Sequence, residues 1–177
     1  PWRMADAAGI VRGLPHRRHI NVALVGVGNC ASSLVQGIAH YQNGGANEQI
    51  GLMHWDLGGY RPSDIRLVAA WDIDRRKVGR DLAEAIFAKP NCTTVFCDHV
   101  TPTGTPVRMG RVLDGIADHM DAQPADRTFL RAEAAEPGKA DVVRVLVESQ
   151  ADVLLNYLPV GSQQASEFYA ECALEAG

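Results

Sequence analysis

The sequence lacks any long hydrophobic run, and it carries no excess of positive charge. No stretch approaches the roughly 20 apolar residues of a membrane-spanning helix, so we expect no membrane association. The formal net charge of −4 gives no reason to expect nucleic acid as a partner. The N-terminal arginines accompany no apolar core of a signal peptide, which predicts a cytoplasmic protein without a secretion signal.

Cysteine is also scarce, and its spacing excludes the common metal and redox motifs. The four cysteines form no C-x-x-C pair and match no usual zinc pattern: Cys30, Cys92, Cys97 and Cys172. We interpret them as reduced thiols of a cytosolic protein. The sequence therefore names no metal ligands.

What the sequence does contain is a short apolar run followed at once by two glycines. Residues 20–25 are typical of a strand buried on both faces, and Gly26 and Gly28 come directly after them. From Ala31 apolar residues recur at helical spacing to about Tyr41. Strand, G-x-G-x-x-A and helix in this order are the context that a dinucleotide-binding fingerprint requires.

Each residue type in this turn has a physical role. Gly26 can adopt the backbone angles of a tight turn, and Gly28 has no side chain to keep a pyrophosphate from the backbone. Ala31 lets the helix lie close to the strand, while Asn29 could cap the helix and Ser32 adds a hydroxyl to its first turn. The helix start also favours a phosphate. The alternative is a buried strand that turns into a helix without any ligand.

An acid ends the second predicted strand, which covers residues 65–72. In the dinucleotide fold such an acid, here Asp72, accepts hydrogen bonds from the adenosine ribose. Its carboxylate would repel a 2′-phosphate, which favours NAD, although the basic residues 75–77 could argue for NADP. Alternatively, Asp72 and Asp74 cap the helix that follows.

Residues 48–64 are longer than a usual return to the next strand, and we interpret them as an insertion. Its polar and aromatic side chains make it a candidate functional loop: His54, Trp55, Asp56 and Tyr60. The alternative is a surface loop held down by its own aromatic residues.

The remaining chain predicts further helices and strands. We expect a helix over 75–87 with Asp81 near its middle, a third strand over 93–97 and a loop over 98–112. A helix over 113–120, a helix from Pro137, a strand over 151–157 and a last helix to about Glu175 follow. Asn156 and Tyr157 end that strand, and Ser162 is placed to cap the last helix.

These elements predict an α/β fold with a Rossmann-like, doubly wound parallel sheet. Residues 1–18 are predicted to be a mobile arm, and residues 19–177 the NAD-binding domain. Ligands of such sheets lie beyond the carboxyl ends of the strands. The Gly26 turn, Asp72 and residues 156–162 should therefore lie on one edge.

Four separate runs resemble the inositol-1-phosphate synthase family, most closely its shorter actinobacterial and archaeal branch. They are GVGNCASSLVQGI (26–38), GLMHWDLGGY (51–60), DLAEAIF (81–87) and NYLPVGS (156–162). The resemblance extends from about Ile20 to the end of the sequence and is weakest over 99–140.

The resemblance implies a reaction, a cofactor and an assembly. Family members convert glucose 6-phosphate to inositol phosphate. NAD oxidises position 5 of the sugar, and the enolate that then forms at position 6 attacks the aldehyde at position 1. The NADH made in the first step reduces the ring ketone, so NAD is recycled. They form homotetramers, and some also use a divalent cation.

The resemblance also assigns the candidate cofactor site. Gly26, Gly28, Asn29, Cys30, Ala31 and Ser32 would hold the pyrophosphate, and Asp72 the ribose. Others would lie near the cofactor: Asp81, Asn156, Tyr157, Pro159, Gly161 and Ser162.

Family subunits are substantially longer than this chain. By resemblance, the catalytic lysines, most sugar-phosphate contacts and the tetramerisation domain lie in the part that is not present here. We therefore name no catalytic residue and expect this chain alone to be inactive. Two alternatives stay open, a related cyclase of another sugar phosphate such as fructose 6-phosphate, and a non-enzymatic NAD-binding module.

Overall fold

A four-stranded parallel sheet forms the centre of the protein, as seen in a computed structural model. The structure describes residues 19–43, 50–116, 120 and 123–177, so the predicted arm of residues 1–18 lies outside the described residues. The spatial order is β3-β2-β1-β4, and every neighbouring pair is parallel. The strands are β1 (Ile20–Val25), β2 (Ile65–Asp72), β3 (Val107–Met109) and β4 (Val153–Asn156). This order is that of the first four strands of the doubly wound dinucleotide-binding fold, and the predicted α/β class is confirmed.

Helices cover both faces of the sheet. They are α1 (Asn29–Asn43), the one-turn α2 (Leu82–Ala85), α3 (Lys139–Glu148) and α4 (Gln163–Ala176), with a short 3₁₀ helix at Pro62–Asp64. Along β1, Val22 and Leu24 belong to the core shared with α1 and α2, whereas Ala23 and Val25 belong to the core shared with α3 and α4. Because successive side chains of a strand point to opposite faces, both faces are apolar.

The third strand is not where the sequence predicts it. Residues 93–97 are not a strand, and β3 lies in the stretch predicted to be a loop. The reason is the side chain of Gln36 on α1. The amide oxygen of the buried Gln36 accepts hydrogen bonds from the N–H groups of Phe96 and Cys97. These donors are therefore satisfied without a neighbouring strand.

Two helix predictions also need correction. The helix predicted over 75–87 is only the single turn α2, because Asp81 precedes it as the N-cap and accepts from the N–H of Ala83. The same carboxylate accepts from Thr103 and Gly104, so it also anchors the loop before β3. Of the described residues within 113–120, none is α-helical. The predictions of α3, β4 and α4 are correct to within two residues at most ends.

The insertion before β2 is held against α1 by aromatic contacts. The hydroxyl of Tyr41 donates to the carbonyl of Ile50, and the ring of Trp55 meets the Tyr41 ring edge-on at 6.3 Å. Asp56 and Arg61 form an exposed ion pair at 3.4 Å. These contacts favour the interpretation of a surface loop fixed by its own side chains.

No helix within the described part of the chain is long and apolar enough to cross a membrane.

A buried ion pair follows β2 and ties down a later loop. The carboxylate of Asp74 is fully buried and accepts from the Arg76 side chain and from the N–H of Leu130. Arg76 also donates to the carbonyls of Ala125 and Thr128. Burial raises the pKa of Asp74, but the hydrogen bonds from Arg76 and Leu130 outweigh it and hold the pKa below its usual value.

We predict that Asp74→Asn lowers the free energy of unfolding by about 3 kcal/mol at pH 7, because Arg76 loses its carboxylate partner. The carboxyl contributes this stability above its unfolded-state pKa of about 3.9 and loses it as the pH falls through the lower folded-state value. Urea unfolding of both proteins at pH 7 and pH 3 measures the effect. The difference should shrink at pH 3, and an equal difference at both pH values contradicts the ion-pair explanation.

Candidate functional site

A cavity of about 510 Å³ opens at the carboxyl ends of all four strands. Each strand contributes residues at or just beyond its end: Gly26, Gly28 and Asn29 after β1, Asp72 and Ile73 at the end of β2, Gly110–Val112 after β3, and Tyr157–Ser162 after β4. This is the edge at which doubly wound sheets bind ligands. A second, more open cleft of about 630 Å³ lies beside the amino-terminal half of β2, away from this edge.

The two glycines of the first turn have different structural roles. Gly26 has a φ of +87°, and a Cβ built on it would lie 2.9 Å from the carbonyl oxygen of Tyr157. A Cβ on Gly28 would meet nothing within 4 Å, although Gly28 lines the cavity. Gly26 therefore allows the turn to approach the end of β4, whereas Gly28 leaves the space in front of the backbone open.

Val27, between the glycines, is held at both of its peptide groups by side chains. Its N–H donates to Asp72 Oδ2 at 2.7 Å, and its carbonyl accepts from Lys77 Nζ at 2.8 Å and Asn91 Nδ2 at 3.1 Å. Asp72 Oδ1 accepts from the N–H of Asp74. Asp72 therefore lies under the glycine turn and still lines the cavity, and it caps no helix.

Three of the six residues predicted to hold a pyrophosphate reach the cavity, namely Gly26, Gly28 and Asn29. Cys30 is exposed and does not line it. Ala31 is buried in the core, where its small side chain lies between the sheet and α1. The Ser32 hydroxyl is buried and accepts from Gln36 Nε2.

Asn29 does not cap α1, contrary to the prediction from its position. Its side-chain oxygen accepts from the N–H groups of Cys92 and Thr93 and from the Thr93 hydroxyl. The amide is therefore engaged with the chain that crosses in front of the helix. The space in front of Gly28, at the start of α1, stays open.

Four predicted residues after β4 line the cavity: Tyr157, Pro159, Gly161 and Ser162. Asn156 does not line it, and its side-chain oxygen accepts from the N–H of Leu158. Asp81 is likewise absent from the lining, because its carboxylate serves the loop before β3.

Ser162 occupies the N-cap position of α4, but its side chain makes no capping hydrogen bond. Asp114 caps the helix instead, since its carboxylate accepts from the N–H groups of Gln164 at 2.8 Å and Ala165 at 3.0 Å. The hydrogen bond from Gln164 is the main cause that lowers the pKa of Asp114. Asp114, which lies 50 positions before Gln164, thus replaces the predicted local cap.

Sequence reasoning missed several residues of the cavity wall, among them Asn91, Arg111, Asp114 and Tyr169. Nothing in their local patterns marks them, because distant contacts bring them to the site. The buried Tyr169 hydroxyl accepts from the N–H of Arg111 at 2.9 Å. Burial raises the pKa of Tyr169 to about 12, so its hydroxyl stays protonated at neutral pH.

Within residues 19–43, 50–116, 120 and 123–177, no group of three or more His, Cys, Asp or Glu side chains could hold a metal ion. The divalent cation implied by the resemblance therefore stays a prediction without named ligands.

We predict that Gly26→Ala lowers the free energy of unfolding by about 3 kcal/mol, because the new methyl group meets the Tyr157 carbonyl and the positive φ is strained. Gly79→Ala is the matched control, since Gly79 has a φ of +86° but open space around it. We expect it to cost about 1 kcal/mol. Urea unfolding compares the two, and equal losses would contradict the close approach.

No protein-family model matches the chain. It is 50% identical over 163 residues to the inositol-3-phosphate synthase of Mycolicibacterium smegmatis, covering 92% of this chain and 42% of that protein. It is 48% identical over 159 residues to the inositol-3-phosphate synthase of Corynebacterium glutamicum, covering 89% and 41%. The chain thus spans about two fifths of the length of these curated relatives.

Two solved structures share the fold. The crystal structure of Ari2 is similar with a TM-score of 0.69 and 32% identity, covering 89% of this chain and 43% of Ari2. A myo-inositol-1-phosphate synthase-related protein from Thermotoga maritima gives a TM-score of 0.61 at 20% identity, covering 89% and 44%, and supports the fold alone. The resemblance stated from the sequence is confirmed for the part of the relatives that this chain covers.

Proposed function

We propose that this chain, a relative of the inositol-3-phosphate synthases over 92% of its length, forms the NAD-binding half of an inositol-phosphate synthase. The observation that carries the proposal is the cavity at the four strand ends, with its open glycine turn and an acid after β2. The same arrangement would serve a binding module without catalysis. The relatives' name favours the enzyme.

The residues present fit a dinucleotide. The space in front of Gly28, which a Cβ would enter, leaves room for a pyrophosphate against the backbone and the start of α1. The carboxylate of Asp72 lines the cavity where an adenosine ribose would lie. Tyr157, Pro159 and Gly161 would face the part of the dinucleotide beyond the pyrophosphate.

The basic residues after β2 support NAD rather than NADP. Arg76 is committed to Asp74 and to two carbonyl groups. Lys77 lies under the glycine turn, and Arg75 does not line the cavity. A 2′-phosphate beside Asp72 would therefore meet a carboxylate without a free cationic partner from this segment.

In the proposed reaction, bound NAD supplies reversible hydride transfer at position 5 of glucose 6-phosphate. This chain would bind and orient the cofactor, and the longer protein would supply the groups that stabilise the enolate. The homotetramer implied by the resemblance and the cytoplasmic location expected from the sequence remain predictions.

We predict that Gly28→Val weakens NAD binding more than tenfold, a loss above about 1.4 kcal/mol, because the side chain fills the space of the pyrophosphate. Folding should be little affected, since the position is open. Gly37→Val is the control, because it adds the same bulk to α1 outside the cavity. Calorimetric titration of the full-length protein with NAD and NADP measures both variants. Unchanged NAD affinity in Gly28→Val, or tighter binding of NADP than of NAD by the unmutated protein, contradicts the assignment.

We predict that the full-length protein with NAD converts glucose 6-phosphate to an inositol phosphate. Product analysis by mass spectrometry and phosphorus NMR, with fructose 6-phosphate in parallel, tests the substrate. A cyclised product only from fructose 6-phosphate would show a related cyclase. NAD binding without turnover of either sugar phosphate would favour the binding module.

A further inference from the structure

Lys77 is a buried lysine at the wall of the cavity, and no step of the proposed function uses it. Lys77 is 3% exposed, and its ammonium group lies beneath the glycine turn. Nζ donates to the Val27 carbonyl at 2.8 Å and to Asn91 Oδ1 at 2.9 Å, and it lies 3.7 Å from Asp72 Oδ2. A buried ammonium group is unfavourable unless it is paired, so its place requires a reason.

The lysine and the acid act on the same residue of the turn. Asp72 holds the N–H of Val27 and Lys77 holds its carbonyl, so two neighbouring charged groups fix the two peptide groups that flank this residue. Asn91 supports this arrangement by donating to the Val27 and Ile86 carbonyls.

The electrostatic consequence concerns any anion placed on the turn. Asp72 alone would put a carboxylate, 11% exposed, beneath the backbone that faces the cavity. A diphosphate in front of Gly28 would then be repelled through a poorly hydrated region. Lys77 forms a neutral pair with this carboxylate, and the repulsion is cancelled.

We propose that Lys77 is a positioning residue that balances the charge of Asp72 and so allows the glycine turn to accept a diphosphate. The inference rests on the proposed dinucleotide site and deepens it. Lys77 acts through Val27 and Asp72. The side chain therefore discriminates between charged and uncharged ligands of the same adenosine group.

The test is the ratio of ADP affinity to adenosine affinity, measured by calorimetry on the full-length protein freed of bound nucleotide. Lys77→Met, which keeps the length of the side chain, should lower this ratio at least about tenfold. Adding Asp72→Asn to Lys77→Met should restore most of the ratio, because the unbalanced carboxylate is gone. The ratio cancels any loss of the ribose contact, which affects both ligands equally.

Asp72→Asn alone provides a second, independent measurement if Lys77→Met does not fold. It leaves an unbalanced ammonium group, so the ADP to adenosine ratio should rise above that of the unmutated protein. Lys139→Met is the matched control, because Lys139 is exposed, pairs with Glu171 and Glu175 and lies outside the cavity.

A purely structural role for Lys77 would change the affinities for ADP and adenosine together and leave the ratio constant. A constant ratio in Lys77→Met overturns the inference. If Lys77→Met does not fold, a constant ratio in Asp72→Asn overturns it. If the unmutated protein binds neither NAD nor ADP, the proposed function itself fails. Binding of both with an unchanged ratio in the variants removes only the role of Lys77.

Discussion

The hydrogen bond from the Val27 N–H to the Asp72 carboxylate is the contact on which the geometry of the site depends. It joins the turn after β1 to the end of β2, two strands that are neighbours in the sheet. Gly26 completes the junction on the other side, because its missing side chain lets the turn meet the end of β4. Three strand ends are thereby fixed relative to one another, and the cavity takes its shape from them.

Polar side chains, more than strands, hold the segments that surround this junction. Gln36 and Asn29 bind the chain at residues 92–97, Asp81 binds residues 103–104, and Asp114 caps α4. Each is a carboxylate or amide that satisfies backbone N–H groups distant in sequence. The crossing between β2 and β3 can therefore be mostly irregular without leaving buried donors unpaired.

This construction also explains how charge is distributed at the cavity. Of the charged residues that line the cavity, Asp72 lies 3.7 Å from Lys77, Arg111 lies 3.7 Å from Glu136, and Asp114 caps α4. Each of these charged side chains therefore has a partner within the protein. What the cavity presents to a ligand is then mainly glycine backbone and apolar or aromatic surface, which suits a dinucleotide held by main-chain groups.

The sequence by itself determined the β1 turn, the acid after β2, the α3-β4-α4 unit and the parallel α/β class, because these depend on local apolar periodicity and on glycine. It could not locate β3, since this strand of three residues is defined by its pairing with β2. It also misjudged Asn29 and Ser162 as local helix caps and placed Asp81 in the middle of a helix. Asn29 binds residues 92–93, Asp81 binds residues 103–104, and Asp114 caps α4 in place of Ser162. These contacts join residues far apart along the chain, so only the tertiary structure decided them. For the same reason Asn91 and Tyr169 became part of the site, since their place at the cavity follows from folding and not from any local pattern.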